Sequence, residues 1–300
     1  MKKKTYLIAL MAMALTLGSC SNNEDGIGGE TSKYITVSTS IGNMTRVATD
    51  ANGGQTFEEG DEISVYAWTG APTVAPETRE RVVNNAINKL TNGSWVSNPQ
   101  MLWKNNRDKH YFIGVYPTAA ISDLSAGEYT FDVNKQTESD LLVAVNKDGL
   151  SYSADAQQTV PLTFTHVMAK LVVNLTYKNQ WGGIPTVEKV VVGNAAKEAS
   201  INYLTKVVTP STTAKEDFSL PEITENTKYV SVIIPQEDVK QLTIVIDGKN
   251  FVYENRTPFK LESGKITTVN LEVGRDEIKL GDVKITDWED GSTFCGEALN

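Results

Sequence analysis

Residues 161–177 read PLTFTHVMAKLVVNLTY, and this stretch decides the fold class. Large apolar and β-branched side chains alternate there with polar ones, and the phase of the alternation shifts near Met168. Alternation with a period of two predicts a β-strand with one buried face. We therefore predict one long strand over 161–177, whose candidates for burial are Phe164, Val167, Leu171, Val173 and Leu175.

Shorter stretches with the same alternation lie on both sides, for example at 33–41 and 265–273. Turn signals separate them, and the dipeptides Asn-Gly at 92–93 and Asp-Gly at 247–248 are typical of tight hairpins. Many short strands separated by turns indicate antiparallel β-sandwiches. We predict an all-β chain.

A polar stretch without an apolar period, residues 150–159, interrupts the strands near the middle of the chain. A chain of 300 residues is long enough for two domains of ordinary size. We place a boundary in this stretch. The prediction is two β-sandwich domains in tandem, at 33–158 and 159–300.

The first twenty residues carry the pattern of an export signal. Three lysines are followed by an apolar run at 6–17 and then by Leu17-Gly18-Ser19-Cys20. The run would span roughly 18 Å as a helix, too short for a bilayer core of about 30 Å. We predict a signal peptide over 1–19 and a polar tether over 20–32. The segment Leu17-Gly18-Ser19-Cys20 resembles the lipobox of bacterial lipoproteins, in which the cysteine is acylated. The alternative is that Cys20 is a lone cysteine beside an ordinary cleavage site.

Composition excludes several classes of protein. The net charge is −9 and no basic stripe is present, so nucleic acid is not an expected partner. The chain has two cysteines and two histidines, too few for a Cys/His metal cluster or a disulfide framework. No metal or other cofactor is expected.

Enzymatic motifs are missing from the sequence. It has no Gly-x-Ser-x-Gly elbow, phosphate loop or dinucleotide fingerprint. The carboxylates at 58–62 could serve glycoside hydrolysis, but a solvated loop explains them better. His166 could be a catalytic base, although a partly buried structural histidine is the favoured interpretation. The five tryptophans could form a sugar platform, but their wide spacing favours core or edge positions. We predict that the chain is not an enzyme.

Six segments, in order along the chain, resemble the fimbrillin family, the subunits of type V pili of Gram-negative anaerobes. They are the lipobox ending at Cys20, Thr45-Arg46 followed by FEEGDEISVY at 57–66, SDLLVA at 139–144, FTHVMAKL at 164–171, IIPQ at 233–236 and ITDW at 285–288.

The resemblance implies a fold, an anchor and an assembly reaction. The fold is two transthyretin-like β-sandwiches. Cys20 is acylated, for example with palmitate, and holds the subunit in outer-membrane lipid. An arginine-specific surface protease cuts between Arg46 and Val47. Removal of the first strand, 33–41, opens a groove that a strand of another fimbrial subunit fills.

The last strand-like segment, 278–288, is a candidate for that donor strand. Val283 and Ile285 share one face and Trp288 lies one residue out of phase. The alternative is an edge strand of its own domain. The predicted function is therefore a structural pilin subunit at the cell surface, in the fimbrium, that supports adhesion. The alternative is a monomeric surface lipoprotein adhesin, or a tip or anchor subunit, that binds glycan or host protein.

Overall fold

The computed structural model describes residues 33–42, 56–153 and 158–288. The first strands along the chain are β1 (Thr36–Ile41), β2 (Glu62–Thr69), β3 (Arg81–Thr91), β4 (Ser94–Asn98), β5 (His110–Tyr116), β6 (Gly127–Thr130), β7 (Leu142–Leu150) and β8 (Thr159–His166). They continue with β9 (Ala169–Tyr177), β10 (Val187–Ala196), β11 (Glu198–Asn202), β12 (Val207–Pro210), β13 (Lys215–Ser219), β14 (Glu222–Thr224), β15 (Lys228–Ile233), β16 (Gln236–Ile246), β17 (Lys249–Leu261), β18 (Lys265–Val273) and β19 (Ile278–Asp287). The helical segments described are α1 (Gln136–Ser139) and two 3-10 turns, Thr78–Glu80 and Asn179–Trp181.

The prediction of an all-β chain is confirmed. Both predicted hairpins form, β3–β4 around Asn92 and Gly93 and β16–β17 around Asp247 and Gly248. All four turn residues have positive φ, the backbone conformation that Asn, Asp and Gly tolerate best. Most strand pairs are antiparallel, whereas β1–β8 and β9–β18 are parallel. The transthyretin-like detail stays a prediction.

The N-terminal strands form a seven-stranded sheet in the order β1-β8-β7-β5-β2-β3-β4. The sheet curls until its edge strands, β1 and β4, come into contact. Its concave face encloses a cluster that we call the inner core: Ile35, Val37, Ile41, Ile63, Val65, Ala67, Val83, Ala86, Met101, Phe112, Leu142, Ala144, Val160, Leu162 and Phe164. The convex face is also buried, which explains why β2 and β5 read as continuous apolar runs.

The described residues form three further sheets. Their strand orders are β14-β15-β9-β18-β19, β13-β10-β16-β17 and β12-β11-β6. A second core, continuous with the convex face of the first sheet, lies among them. The last sheet joins β6, from the N-terminal part, to β11, so the two parts of the chain share backbone hydrogen bonds as well as apolar contacts.

The predicted long strand over 161–177 is wrong in one respect, because it is two strands in two sheets. β8 pairs with β1 and β7, and β9 pairs with β15 and β18. The break falls at Val167 and Met168, both buried, where the alternation shifts phase. The chain thus changes sheet beyond the predicted boundary at 158, while the division into two domains stays a prediction.

The Thr- and Ser-rich stretch after residue 204 has no apolar period, which predicts a loop, but the structure places β12, β13 and β14 there. These strands are mostly exposed and carry no apolar alternation, the signal on which the prediction relied. Within the described residues, no helix has the length and apolar character needed to cross a membrane.

Candidate functional site

The first strand, β1, occupies a groove at the edge of the seven-stranded sheet. On one side it pairs in parallel with β8, from Thr36 opposite Thr159 to Ile41 opposite Phe164. On the other side its beginning touches residues 101–103, since the Ile35 N–H donates to the carbonyl of Met101 over 3.0 Å. We call the surface formed by β8, β4 and residues 101–103 the β1 groove.

The inward side chains of β1 close the inner core. Ile35, Val37 and Ile41 are 2%, 6% and 8% exposed. Burial of each contributes roughly 1.5–3 kcal/mol. Removal of β1 without a replacement would therefore expose a long apolar groove.

Thr39, the third of the four inward side chains from Ile35 to Ile41, is polar. Its Oγ1 accepts a hydrogen bond of 3.0 Å from the indole Nε1–H of Trp95 on β4. Phe57 packs edge-on against the Trp95 ring, with the ring centroids 5.3 Å apart. The hydrogen bond between Trp95 and Thr39 joins β4 and β1, the two edges of the curled sheet.

The outward side chains of β1 are hydroxyls that meet hydroxyls of β8. The Thr36 and Thr159 Oγ1 atoms lie 3.2 Å apart, and the Ser40 hydroxyl donates to Thr163 over 3.2 Å. These pairs are exposed, so water competes for them.

The end of β1 opens into a cavity of about 340 Å³. Its lining includes Ile41, Phe57, Tyr116, Lys170 and Trp288. Burial lowers the pKa of Lys170 to about 8, against the opposing effect of Asp140. Burial raises the pKa of Tyr116 to about 12, and the nearby Asp61 carboxylate adds to this rise.

The end of β8 lies between the first and the last strands. On the β1 side, the Gly42 N–H donates to the Phe164 carbonyl over 2.8 Å. Two residues later, the indole of Trp288 stacks on the His166 ring, with centroids 4.0 Å apart and planes 5° from parallel. His166 Nδ1 lies 2.8 Å from a carboxylate oxygen of Asp140.

The last strand, β19, is an edge strand that pairs only with β18 among the described strands. Val283 and Ile285 are 39% and 38% exposed, whereas Trp288 is 9% exposed. The Trp288 N–H donates to the Gly264 carbonyl over 3.0 Å, and Asp287 forms an ion pair with Lys265. In this structure β19 therefore lies on the sheet of its own chain, with two apolar side chains facing solvent.

Some of the predicted site residues lie within the described parts of the chain and others do not. Cys20, Arg46 and Val47 lie outside the described residues, so their predicted roles stay predictions. Val283, Ile285 and Trp288 lie on or directly after β19, and Trp288 reaches the cavity at the end of β1. The position of Ile41 and Trp288 in the lining of one cavity was not predicted.

Sequence reasoning missed Trp95 as a partner of β1. It anticipated a structural role for His166, and the buried ring beside Asp140 agrees with that interpretation. No short-range pattern could link Trp95 to Thr39 or His166 to Trp288, because the pairs are far apart in sequence. No cluster of three or more His, Cys, Asp or Glu side chains that could hold a metal ion occurs within the described parts of the chain.

Comparison with protein families gives one match over most of the chain. The model of the family described as "Fimbrillin-like" matches residues 45–288. A comparison with curated proteins found no match.

Solved structures with the same fold come from Bacteroides and Porphyromonas species. A candidate cell adhesion protein of Bacteroides uniformis is 18% identical with a TM-score of 0.64, and the match covers 85% of this chain and 99% of that one. A fimbrial protein of Bacteroides vulgatus is 13% identical with a TM-score of 0.52, covering 84% and 99%. The tip fimbrial protein Mfa3 of Porphyromonas gingivalis, truncated at its C-terminus, is 12% identical with a TM-score of 0.50, covering 77% and 95%. At these identities the likeness establishes the fold alone.

Proposed function

Because the chain belongs to the fimbrillin-like family, we propose that this fimbrial subunit is a structural, non-enzymatic pilin that polymerises at the cell surface by strand exchange. One observation carries the proposal: β1 fills the inner core but belongs to the sheet through a single ladder, with β8. A strand held in this way can be replaced without breaking a second ladder.

Removal of β1 requires a cut in the segment that connects it to β2. Arg46 and Val47 lie in that segment, four and five residues after Gly42. We propose that an arginine-specific surface protease cuts between them. The exposed apolar groove then drives uptake of a strand from another fimbrial subunit, since strand addition supplies both backbone hydrogen bonds and side-chain burial.

The same proposal includes an anchor and a donor. Acylation of Cys20 would hold the subunit in outer-membrane lipid before assembly. The donor is β19, an edge strand whose Val283 and Ile285 already face solvent.

The processing step is tested with Arg46→Ala. The variant should fold, reach the cell surface and stay at precursor length, without the heat-resistant ladder on gels that polymerised subunits give. Arg79→Ala is the matched control, because Arg79 is another exposed arginine, with a side chain 79% accessible.

Shortened, polymerised Arg46→Ala subunits would contradict the proposed cut. A parent chain that is shortened but remains monomeric would instead favour the adhesin, tip or anchor role.

The donor is tested by a chain that ends at Arg275. The truncated subunit should be soluble and cut like the parent, but should not polymerise. Normal polymerisation would place the donor elsewhere, and failure to fold would make β19 part of its own core.

The anchor is tested by labelling cells with a radioactive fatty acid. The parent chain should take up the label and Cys20→Ala should not. Equal labelling of both would contradict lipidation at Cys20.

A further inference from the structure

This inference rests on the proposed strand exchange and concerns which strand the β1 groove accepts. We propose that Trp95 makes the groove selective for an incoming strand of a second copy of this chain that carries a hydrogen-bond acceptor at its third inward position.

The selectivity follows from the one polar contact on the inward face of β1. Ile35, Val37 and Ile41 fill apolar space, whereas Thr39 accepts the indole N–H of Trp95 at 3.0 Å. An indole nitrogen donates and does not accept. An apolar side chain at this position would therefore leave the Trp95 donor without its protein acceptor.

The surroundings of Trp95 raise the cost of that loss. The indole is half-buried and packs against the inner core, and the Phe57 ring covers it edge-on at 5.3 Å. A donor removed from water in this way weakens binding when its acceptor is missing. The exposed hydroxyl pairs at Thr36 and Ser40 do not select in this way, because water can replace either partner.

The first three inward residues of the incoming strand must thus be apolar, apolar and an acceptor. Val283, Ile285 and Asp287 show this order at alternate positions of β19, matching Ile35, Val37 and Thr39. The segment 278–282 has the same order, but Ile278 and Leu280 are half-buried and pack against the second core of their own subunit. Val283 and Ile285 are exposed, so 283–287 is the segment that we assign to the groove.

The experiment uses the full chain with the recognition sequence of a highly specific protease inserted after Ala51. After cleavage, a fluorescent peptide of residues 33–42 is exchanged into the groove, and unlabelled peptides compete for it. The competitors are the parent peptide, Thr39→Ser and Thr39→Val. Serine keeps the acceptor, whereas valine keeps the shape of threonine and lacks the oxygen.

The parent and Thr39→Ser peptides should compete about five- to tenfold better than Thr39→Val, the size expected for one partly buried hydrogen bond. A Trp95→Phe chain, which keeps an aromatic ring but no donor, should lose this preference. The comparison of the serine and valine peptides needs no change in the protein and stands even where Trp95→Phe does not fold.

Peptides of residues 281–291 test the assigned partner. The parent and Asp287→Asn peptides should compete at least fivefold better than Asp287→Leu. Equal competition by Thr39→Ser and Thr39→Val overturns the selectivity while strand exchange stands, as does a preference that survives in Trp95→Phe. Failure of the 281–291 peptides to compete overturns the assigned segment. Failure of every peptide to enter the groove overturns strand exchange itself, and this inference with it.

Discussion

The contact between Trp288 and His166 predicts how firmly the last strand is held in the subunit before assembly. We consider the substitution Trp288→Ala. It removes a ring that is 9% exposed and stacks on His166 at 4.0 Å, with the Lys170 ammonium 5.3 Å from its centroid. The backbone hydrogen bond from Trp288 to Gly264 is left in place.

The expected loss can be estimated from this geometry. Truncation of a buried tryptophan to alanine costs about 3–5 kcal/mol. Trp288 borders the cavity and follows an edge strand, so the lower value, about 3 kcal/mol, applies. The cost should fall on local opening of the β18–β19 ladder, because β19 pairs only with β18 among the described strands. That free energy corresponds to about a hundredfold rise in the open population.

Hydrogen exchange measures this opening directly. In Trp288→Ala the amides at 264–267 and 285–288 should exchange about a hundredfold faster than in the parent chain, while those of β5 keep their rates. Ile285→Ala is the matched control, because its side chain is 38% exposed, and it should change the rates by less than about threefold. Rates in Trp288→Ala within threefold of the parent would refute the reasoning that this ring holds the end of β19.

Two further predictions concern the inner core and the cavity. Gly114→Ala should lower the free energy of unfolding by about 1–3 kcal/mol, because the new Cβ would lie 2.6 Å from Cζ of Phe164. Urea unfolding measures this loss, and adding Phe164→Leu to the Gly114→Ala chain should recover part of it. An unchanged urea midpoint in Gly114→Ala would contradict it. Burial holds the pKa of Lys170 at about 8 in the folded chain, below the ordinary value of 10.5. Between these two pH values the unfolded chain binds more protons than the folded chain. The free energy of unfolding should therefore rise as the pH rises from about 8 towards 10. Lys170→Met should abolish that part of the rise and be more stable than the parent at pH 7, and equal slopes of unfolding free energy against pH in both chains would show the idea to be wrong.

The elements that could be predicted from sequence are those with one buried face and a clear turn. β18 was predicted at 265–273, the bounds that the structure gives it. Its inward residues alternate with polar ones, and the hairpins at 92–93 and 247–248 carry turn residues suited to positive φ. In these places local sequence and tertiary packing favour the same conformation.

The elements that could not be predicted lack that agreement. Around Val167 and Met168 consecutive residues are buried, and the phase shift that this produces in the sequence did not by itself show a change of sheet. β12 and β14 pair with the neighbouring strands β11 and β15, and β13 pairs with β10, but none of the three carries an apolar phase of its own. For the site, sequence could single out the first strand and the motifs at Cys20 and Arg46, because each is a local pattern. It could not give the partners of that strand, since Trp95 meets Thr39 only after the sheet has curled.

The topology is compatible with the proposed exchange of the first and last strands, because both lie at sheet edges. An interior strand such as β5 pairs with β2 and β7, so its removal would break two ladders. β1 and β19 each take part in a single ladder among the described strands. The ends of both lie against the end of β8, because the Phe164 carbonyl accepts the Gly42 N–H after β1, and His166, two residues later, stacks on Trp288. Loss of β1 removes the pairing along one edge of β8, the strand against which Trp288 packs. Under the proposed exchange, we therefore expect the departure of the first strand to weaken a contact that holds the last one.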